Sequence, residues 1–317
     1  MTVMWADVLF VALGLAGLVF GGDILVRGGT GLSLKFGLSP AVIGVVVLGF
    51  GTSTPELVTS LTASLSGVEG VAVGNVVGSN IANVLLILGL TAIIFPVACT
   101  RTAVHRDGFL MLVFTAVTLA AMYLGGFPRL FGALLLVGLA SYLFIVIRSG
   151  ADPDDLPTEG TGDPLLKSGL FVLGGLVLLM IAANLLVRGA SSLATAWGAS
   201  EALIGLTVVA VGTSLPELSA SMVAAFRRQG DMAFGNIVGS NIFNIAGVLG
   251  LTALIAPMDL PPGIGLVDAG AMAIAAILAV VFGLTAMRIV RWEGAVLLAG
   301  YVGYLAITIM ADRAVLG

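Results

Sequence analysis

Long apolar stretches fill almost the whole chain, and they limit its fold more than any other feature does. A membrane-crossing helix needs about 20 mainly apolar residues. Ten stretches of this kind follow one another, at residues 5–26, 38–63, 71–95, 103–125, 129–148, 167–189, 200–226, 232–256, 264–285 and 289–310. Only 9% of the residues are charged, whereas a soluble domain carries about 25%. The sequence therefore predicts an all-α, multi-pass protein of the cell membrane with ten transmembrane helices.

The composition also excludes several classes of function. The 13 Lys and Arg residues are outnumbered by 17 Asp and Glu residues, so no basic surface is available for a nucleic acid. A single cysteine, Cys99, and a single histidine, His105, exclude a disulfide scaffold, a zinc cluster and a Cys–His nucleophile. Since no other nucleophile is paired with a base, we expect neither an enzyme nor a cofactor. The lipid bilayer is the expected environment, and no obligate protein partner is indicated.

Three motifs occur twice. They are DILVRGG at 23–29 and NLLVRGA at 184–190, GTSTPEL at 51–57 and GTSLPEL at 212–218, and AVGNVVGSNIAN at 72–83 and AFGNIVGSNIFN at 233–244. Each second copy stands 161 positions after the first, as in 233 − 72 = 161. This constant offset predicts one five-helix unit used twice. Repeat 1 covers residues 1–148, an acidic linker covers 149–166, and repeat 2 covers 167–317.

An odd number of helices in each repeat makes the second copy enter the membrane from the opposite side. The loops on one side carry ten of the 13 Lys and Arg residues, which places that side in the cytoplasm. Both termini are then outside, and the 149–166 loop is cytoplasmic. Inverted repeats of this kind are typical of secondary transporters.

Two glutamates, Glu56 and Glu217, lie near the middle of the second and seventh predicted helices. A carboxylate at that depth costs roughly 2.5–3.5 kcal/mol, so it needs a cation, a proton or a partner. Pro55 and Pro216 precede them and are expected to break both helices at mid-membrane, because proline removes a helical hydrogen bond. The backbone carbonyls released by such breaks are tolerated only where they line a cavity or bind an ion.

Polar residues on the third and eighth predicted helices add oxygen atoms. Asn75, Ser79 and Asn83 are spaced by four and share one helix face, as do Asn236, Ser240 and Asn244. Interhelical packing is the alternative role for each asparagine. Hard oxygen ligands and two carboxylates suit Ca²⁺. One Ca²⁺ neutralises the charge of −2, and so do two Na⁺ or two H⁺. Since the empty site would hold two like charges in a low dielectric, we expect exchange rather than one-way transport.

The paired GTSxPEL and GNxxGSNI motifs resemble the alpha-1 and alpha-2 repeats of the sodium/calcium exchangers, within the cation/calcium antiporter superfamily and of prokaryotic type. The resemblance covers both repeats and implies antiport of Ca²⁺ against Na⁺. It implies calcium ligands at Glu56 and Glu217, with Thr52 and Thr213 contributing backbone oxygens. It further implies sodium sites lined by Ser53, Ser79, Ser214 and Ser240, carbonyl ligands at Gly49 and Ala210, and an amide ligand at Asn83.

One position departs from the family pattern. Asn244 stands where many members have an aspartate, so the site carries a charge of −2 rather than −3, which makes three Na⁺ per Ca²⁺ less favourable. The main alternative function is exchange of Ca²⁺, or another divalent cation, for H⁺, since two protons also neutralise the glutamates. The serines beside the glutamates favour Na⁺, because protons need no hydroxyl ligands. A cation channel and an intramembrane enzyme fit the repeats less well.

Overall fold

The computed structural model describes residues 2–148, 163–197, 210–260 and 264–316. Nearly all of them are helical. The helices are α1 (Thr2–Phe36), α2 (Pro40–Ile43), α3 (Phe50–Thr52), α4 (Thr54–Leu65), α5 (Glu69–Ile81), α6 (Gly89–Ile94), α7 (Phe109–Tyr123), α8 (Arg129–Arg148), α9 (Leu165–Ala196), α10 (Ala210–Gly212), α11 (Leu215–Phe226), α12 (Gly230–Ile242), α13 (Gly250–Ile255), α14 (Leu266–Ala286) and α15 (Arg291–Leu316).

Four wider helical turns and four short strands complete the described elements. The π-helical turns are π1 (Gly44–Gly49), π2 (Ala82–Leu88), π3 (Ala103–Gly108) and π4 (Phe243–Leu249). The strands are β1 (Val97–Ala98), β2 (Gly126–Phe127), β3 (Met258–Asp259) and β4 (Arg288–Ile289). Because π2 directly follows α5 and π4 directly follows α12, each of the two GNxxGSNI helices changes its hydrogen bonding at the same point of the motif.

Eight helical segments of the described residues are long and apolar enough to cross a membrane. They are Trp5–Phe36, Glu69–Ile94, Ala103–Tyr123, Arg129–Arg148, Leu165–Ala196, Gly230–Ile255, Leu266–Ala286 and Arg291–Met310. A ninth candidate is a pair of helices, Pro40–Thr52 and Thr54–Leu65, that meet at 41°. These nine match nine of the ten predicted stretches, so the chain has the helices of a multi-pass membrane protein.

The remaining predicted stretch, 200–226, falls partly outside the described residues, because these begin again at residue 210. Its described part is α10 and the short apolar helix α11. The total of ten spans therefore stays a prediction. Most of the predicted acidic linker, residues 149–162, also lies outside the described residues.

Two helices are longer than expected. The apolar stretches end at residues 26 and 189, but α1 continues to Phe36 and α9 to Ala196. Between residue 27 and Phe36, α1 meets no proline and no residue with a left-handed backbone. It ends before Gly37, which has a φ of +62°, a conformation that glycine adopts easily because it lacks a Cβ. The predicted ends followed hydropathy, which marks the apolar part of a helix rather than its end.

Proline explains why the second span is bent. Pro55 stands in the first turn of α4 and Pro216 in the first turn of α11, where a missing N–H needs no intrahelical partner. The residues before these helices, Ser53 and Ser214, have ψ values of 3° and 6° and leave regular helical geometry. Each GTSxPEL motif thus begins a new helix whose first turn contains the glutamate.

Glycines let the long helices α1 and α9 pack antiparallel with their backbones close together. A Cβ added at Gly28 would lie 2.7 Å from the backbone nitrogen of Val172, and one added at Gly14 would lie 2.7 Å from that of Leu186. Such distances are shorter than any ordinary Cβ contact, so these positions accept only glycine without movement of the helices. The pair α1–α9 packs against α11, and the core contains α12, of which every residue except Asp231 is buried.

Contacts between the two halves of the chain occur in related pairs. Strand β1 pairs antiparallel with β4, and β2 pairs antiparallel with β3, so each two-stranded sheet takes one strand from each half. Two tyrosine–aspartate hydrogen bonds also correspond. The Tyr142 hydroxyl donates to Asp107 over 3.1 Å, and the Tyr304 hydroxyl donates to Asp268 over 2.8 Å.

The Tyr142 hydrogen bond ties α8 to π3 inside the protein, because both side chains are buried. We expect Tyr142→Phe to destabilise the fold by about 0.6–1.7 kcal/mol, the range typical of interhelical hydrogen bonds in membrane proteins. The thermal unfolding midpoint in detergent measures this change. Tyr123→Phe is the matched control, because Tyr123 is 90% exposed. Equal midpoints for the two variants would contradict the assigned role.

Candidate cation site

Two helix N-termini carry the glutamates into the protein interior. Glu56 lies in the first turn of α4 and Glu217 in the first turn of α11. Both side chains have 0% exposure. Negative charge is stabilised at a helix N-terminus, because unpaired N–H groups and the helix dipole point there. The break before each helix therefore places a carboxylate where the backbone partly compensates its charge.

The four carboxylate oxygens of Glu56 and Glu217 have no hydrogen-bond partner among the described residues. The two carboxylates also lie close enough to repel each other. Buried charges without donors are strongly unfavourable unless an opposite charge joins them. The arrangement therefore fits a bound cation, or bound protons, between the two side chains.

The two halves of the chain contact each other around these glutamates. Ser79 of α5 lies beside Glu56, and Thr52 and Ser53 lie beside Glu217. The Thr52 and Ser240 hydroxyls are 3.4 Å apart, so α3 meets α12 at this point. Gly49 permits this approach, since an added Cβ would lie 2.8 Å from the backbone nitrogen of Ser240.

Further buried oxygens near the glutamates have no hydrogen-bond partner in the described part of the chain. They are Ser53 Oγ, Ser214 Oγ, Asn83 Oδ1 and Asn244 Oδ1. Buried polar atoms are nearly always bonded, so a group of unpartnered ones requires an explanation such as an ion. These atoms supply hydroxyl and amide oxygens, which are the ligands that alkali and alkaline-earth cations prefer.

Most of the residues that the sequence singled out are buried in the structure. The buried members are Glu56, Glu217, Gly49, Thr52, Ser53, Ser79, Asn83, Ser214, Ser240 and Asn244. Thr213 is only partly buried and lines a neighbouring cavity. Ala210 begins α10, and its side chain lies outside the described part of the structure.

The cavity lined by Thr213 has a volume of about 400 Å³ and lies beside both helix breaks. Its lining also includes Thr54 and Pro55 from one break, and Gly212 and Pro216 from the other. Asn184 of α9 adds an amide to the wall. The cavity therefore lies next to the two breaks that precede the glutamates, and neither glutamate is part of its lining.

The corresponding region between α1 and α11 has a smaller cavity of about 300 Å³, lined by apolar residues such as Leu15, Leu18 and Met222, and direct contacts bridge the two helices beside it. The Ser219 hydroxyl donates to the Leu18 carbonyl over 2.5 Å. At the end of α11, Arg227 binds Asp23, which also pairs with Arg27 over 2.9 Å as expected for residues four apart in a helix. The two faces of the site are therefore different, since threonines and an asparagine line part of the cavity on one face, whereas the cavity on the other is almost wholly apolar and lies beside a hydrogen bond and an ion pair.

Interhelical packing, the alternative role expected for each asparagine, describes Asn75 and Asn236, because their amides hold the glutamate helices in place. Asn75 Nδ2 donates to the Glu56 carbonyl over 3.2 Å and to Ser60 Oγ over 2.9 Å. Asn236 Nδ2 donates to the Glu217 carbonyl over 3.3 Å and to the Ser221 hydroxyl over 2.9 Å. Each asparagine follows its glutamate by 19 residues, and this equal spacing in the sequence could have indicated that the two residues make the same contact in both halves.

The candidate site offers carboxylate, hydroxyl, amide and carbonyl oxygens, which hard cations prefer. The described residues contain no group of three or more His, Cys, Asp or Glu side chains that could hold a metal ion. Cys99 lies apart from the site, between α6 and π3, and burial raises the pKa of its thiol to about 12. This cysteine is therefore protonated at neutral pH and is a poor metal ligand.

Comparison with known proteins identifies similar membrane transporters. The family model described as sodium/calcium exchanger protein matches residues 7–148 and 167–310. The putative antiporter CaxA of Alkalimonas amylolytica is 37% identical, over 95% of this chain and 98% of CaxA. The sodium/calcium exchanger MaX1 of Methanosarcina acetivorans is 31% identical, over 94% of this chain and 97% of MaX1.

A solved structure has the same fold. It is that of the sodium-calcium exchanger NCX_Mj soaked with zero Na⁺ and Ca²⁺, and it superposes with a TM-score of 0.84 at 35% sequence identity. The superposition covers 96% of this chain and 99% of that one. The helical architecture of the two proteins is therefore shared over nearly their full lengths.

Loss of the amide that holds α11 should destabilise the protein. We expect Asn236→Ala to cost about 1–3 kcal/mol, because it leaves the buried Ser221 hydroxyl and Glu217 carbonyl without their donor. The thermal unfolding midpoint in detergent, with cations removed, measures the change. Asn184→Ala is the control, since among the described residues this exposed amide donates within its own helix, to the Met180 carbonyl over 3.0 Å. If the control lowers the midpoint as much, the clamp role of Asn236 is wrong.

Proposed function

Because this chain belongs to the sodium/calcium exchanger protein family and is a cation/Ca²⁺ antiporter, we propose that it exchanges Ca²⁺ for Na⁺. The exchange takes place by alternating access at one site built around Glu56 and Glu217. Both ions are substrates, and no cofactor or chemical conversion is involved. NCX_Mj has been soaked with Na⁺ and with Sr²⁺, which supports the same classes of ion for this chain.

The observation that carries the proposal is the pair of buried carboxylates without hydrogen-bond partners in the described residues. Their four oxygens offer a charge of −2, which one Ca²⁺ neutralises. Calcium takes about 6–8 oxygen ligands at about 2.3–2.6 Å in flexible geometry. Carbonyl oxygens at Thr52 and Thr213, with further carbonyls at Gly49 and Ala210, complete the proposed calcium site.

Buried hydroxyls support Na⁺ as the coupling ion. Ser53 Oγ and Ser214 Oγ have no partner in the described residues, although burial of an unpaired hydroxyl is costly. Sodium ions use such oxygens as ligands, whereas a proton bound to a carboxylate does not need them. Ser53, Ser79, Ser214 and Ser240 therefore line the proposed sodium sites, with amide ligands from Asn83 and Asn244. Exchange of Ca²⁺ for H⁺ is the second candidate function, and Ca²⁺ uptake driven by a pH gradient without Na⁺ would distinguish it.

Two inverted five-helix repeats, giving ten spans, are the proposed architecture. Two observations support it: β1 and β2 of the first half pair with β4 and β3 of the second, and each half contains a related tyrosine–aspartate hydrogen bond. Repeat 1 is residues 1–148, the linker is 149–166 and repeat 2 is 167–317. The charge distribution places both termini outside and the linker in the cytoplasm.

This orientation assigns a direction to the two faces of the site. The cavity at Thr213 and Asn184 is the outer access path, and the contacts of Ser219 and Arg227 close the inner one. Movement of α1 and α9 relative to the glutamate helices would exchange the open and closed faces. A site without ions keeps a charge of −2 in a low dielectric, which opposes this movement and couples it to ion binding.

Transport by the purified protein in lipid vesicles tests the proposal. Vesicles loaded with Na⁺ are diluted into Na⁺-free medium, and ⁴⁵Ca²⁺ uptake is followed. We expect uptake to require the Na⁺ gradient, and Glu56→Gln and Glu217→Gln each to lower it by more than roughly 100-fold, since even groups behind a metal ligand account for about 10–100-fold. Glu69→Gln, at the partly exposed start of α5, should transport normally.

Two results would contradict parts of the proposal. Uptake driven by a pH gradient alone, without Na⁺, would make the protein an H⁺/Ca²⁺ exchanger. Normal uptake in the Glu56 or Glu217 variant would mean that the ions bind elsewhere.

A further inference from the structure

Three asparagines form a hydrogen-bonded chain that crosses from one half of the protein to the other. Asn241 Nδ2 donates to the backbone carbonyl of Asn80 over 3.3 Å and to the Met111 sulfur over 3.6 Å. Asn83 Nδ2 in turn donates to Asn241 Oδ1 over 3.0 Å. All three asparagine side chains are buried, with exposures of 2% or less.

The direction of every bond in this chain follows from its first member. A backbone carbonyl can only accept a hydrogen bond, so Asn241 must turn its NH₂ group toward Asn80. The Asn241 oxygen then faces Asn83 and must accept, which requires the NH₂ group of Asn83 on that side. The orientation of both amides therefore follows from hydrogen-bond chemistry.

As a consequence, the side-chain oxygen of Asn83 points away from Asn241. Asn83 Oδ1 is buried and has no hydrogen-bond partner in the described residues. Asn83 stands one helical turn after Ser79, which lies beside Glu56. The π2 segment that carries Asn83 also packs against α11, which carries Glu217.

We propose that Asn241 is a positioning residue that holds the Asn83 amide with its oxygen toward the cation. The inference rests on the proposed ion site, because it assigns a cause to the orientation of one of its ligands. Asn241 does not itself touch the ion; it acts through Asn83. Without Asn241, the Asn83 amide can rotate and present its NH₂ group, which repels a cation.

The related residues in the other half behave differently. By the repeat offset, Asn80 corresponds to Asn241, and Asn244 corresponds to Asn83. Asn80 Nδ2 donates to the Val76 carbonyl of its own helix over 2.7 Å, and neither polar atom of Asn244 has a partner in the described residues. Within the described part of the chain, a second amide therefore holds Asn83 but not Asn244, and Asn244 can turn either its oxygen or its NH₂ group toward the ion.

A double-mutant cycle on ion binding tests the inference. Equilibrium binding of ⁴⁵Ca²⁺ to the purified protein gives the Kd for Ca²⁺, and competition gives the Na⁺ concentration that displaces half of it. We expect Asn83→Ala and Asn241→Ala each to weaken at least one of these constants by roughly 3–10-fold, the effect of one hydrogen bond or ligand. The double variant should bind no more weakly than Asn83→Ala alone.

The control is Asn80→Ala, which removes a similar amide but keeps the backbone carbonyl that accepts from Asn241. We expect its two constants to equal those of the parent protein. Multiplied effects in the double variant, an unaffected Asn83→Ala variant, or an equal loss in Asn80→Ala would each overturn the positioning role. A parent protein that binds no Ca²⁺ would overturn it as well.

Binding rather than transport is measured so that the two proposals fail separately. An H⁺-coupled exchanger would contradict the proposed Na⁺ exchange, yet it would still give the same cycle for Ca²⁺. Conversely, the protein could exchange Na⁺ for Ca²⁺ while the effects of Asn83→Ala and Asn241→Ala on the binding constants multiply in the double variant. The proposed function would then stand, and only the positioning role of Asn241 would be wrong.

Discussion

The rest of the structure depends on two carboxylates that lie together in the protein interior without hydrogen-bond donors. Glu56 and Glu217 are fully buried, and none of their oxygens is bonded within the described residues. Two like charges in such a place destabilise the protein unless a cation or protons join them. This electrostatic condition links the fold to the proposed activity, because the same charge that binds an ion opposes movement of the empty carrier.

Several local features lower the cost of burying the two carboxylates or hold the helices around them. The prolines start new helices at the glutamates, and the partial positive charge of each helix N-terminus reduces the cost of the carboxylate. Asn75 and Asn236 hold the backbone at the glutamates, and glycines such as Gly49 allow the helices to approach. The surrounding hydroxyl and amide oxygens stay largely unpartnered. The protein thus holds its helices with side-chain amides, whereas the oxygens of the proposed ion site have no hydrogen-bond partner in the described residues.

Much of this arrangement could be predicted from the sequence, because its causes are local. Hydropathy located nine spans that the described helices match, and GTSxPEL marked the breaks through proline. The contacts that join distant segments could not be predicted in the same way. Arg227 binds Asp23 across 204 positions, and Asn241 meets Asn83 across 158. No spacing rule connects such residues, since the packing of whole helices decides which of them meet.

The most direct test of the central claim is the position of a bound ion. Crystals grown with Ca²⁺ would be measured at a wavelength where calcium scatters anomalously. The account predicts an anomalous peak between the two glutamates, about 2.3–2.6 Å from oxygens of both Glu56 and Glu217. A peak that touches only one of these carboxylates, or that lies elsewhere in the protein, would contradict it.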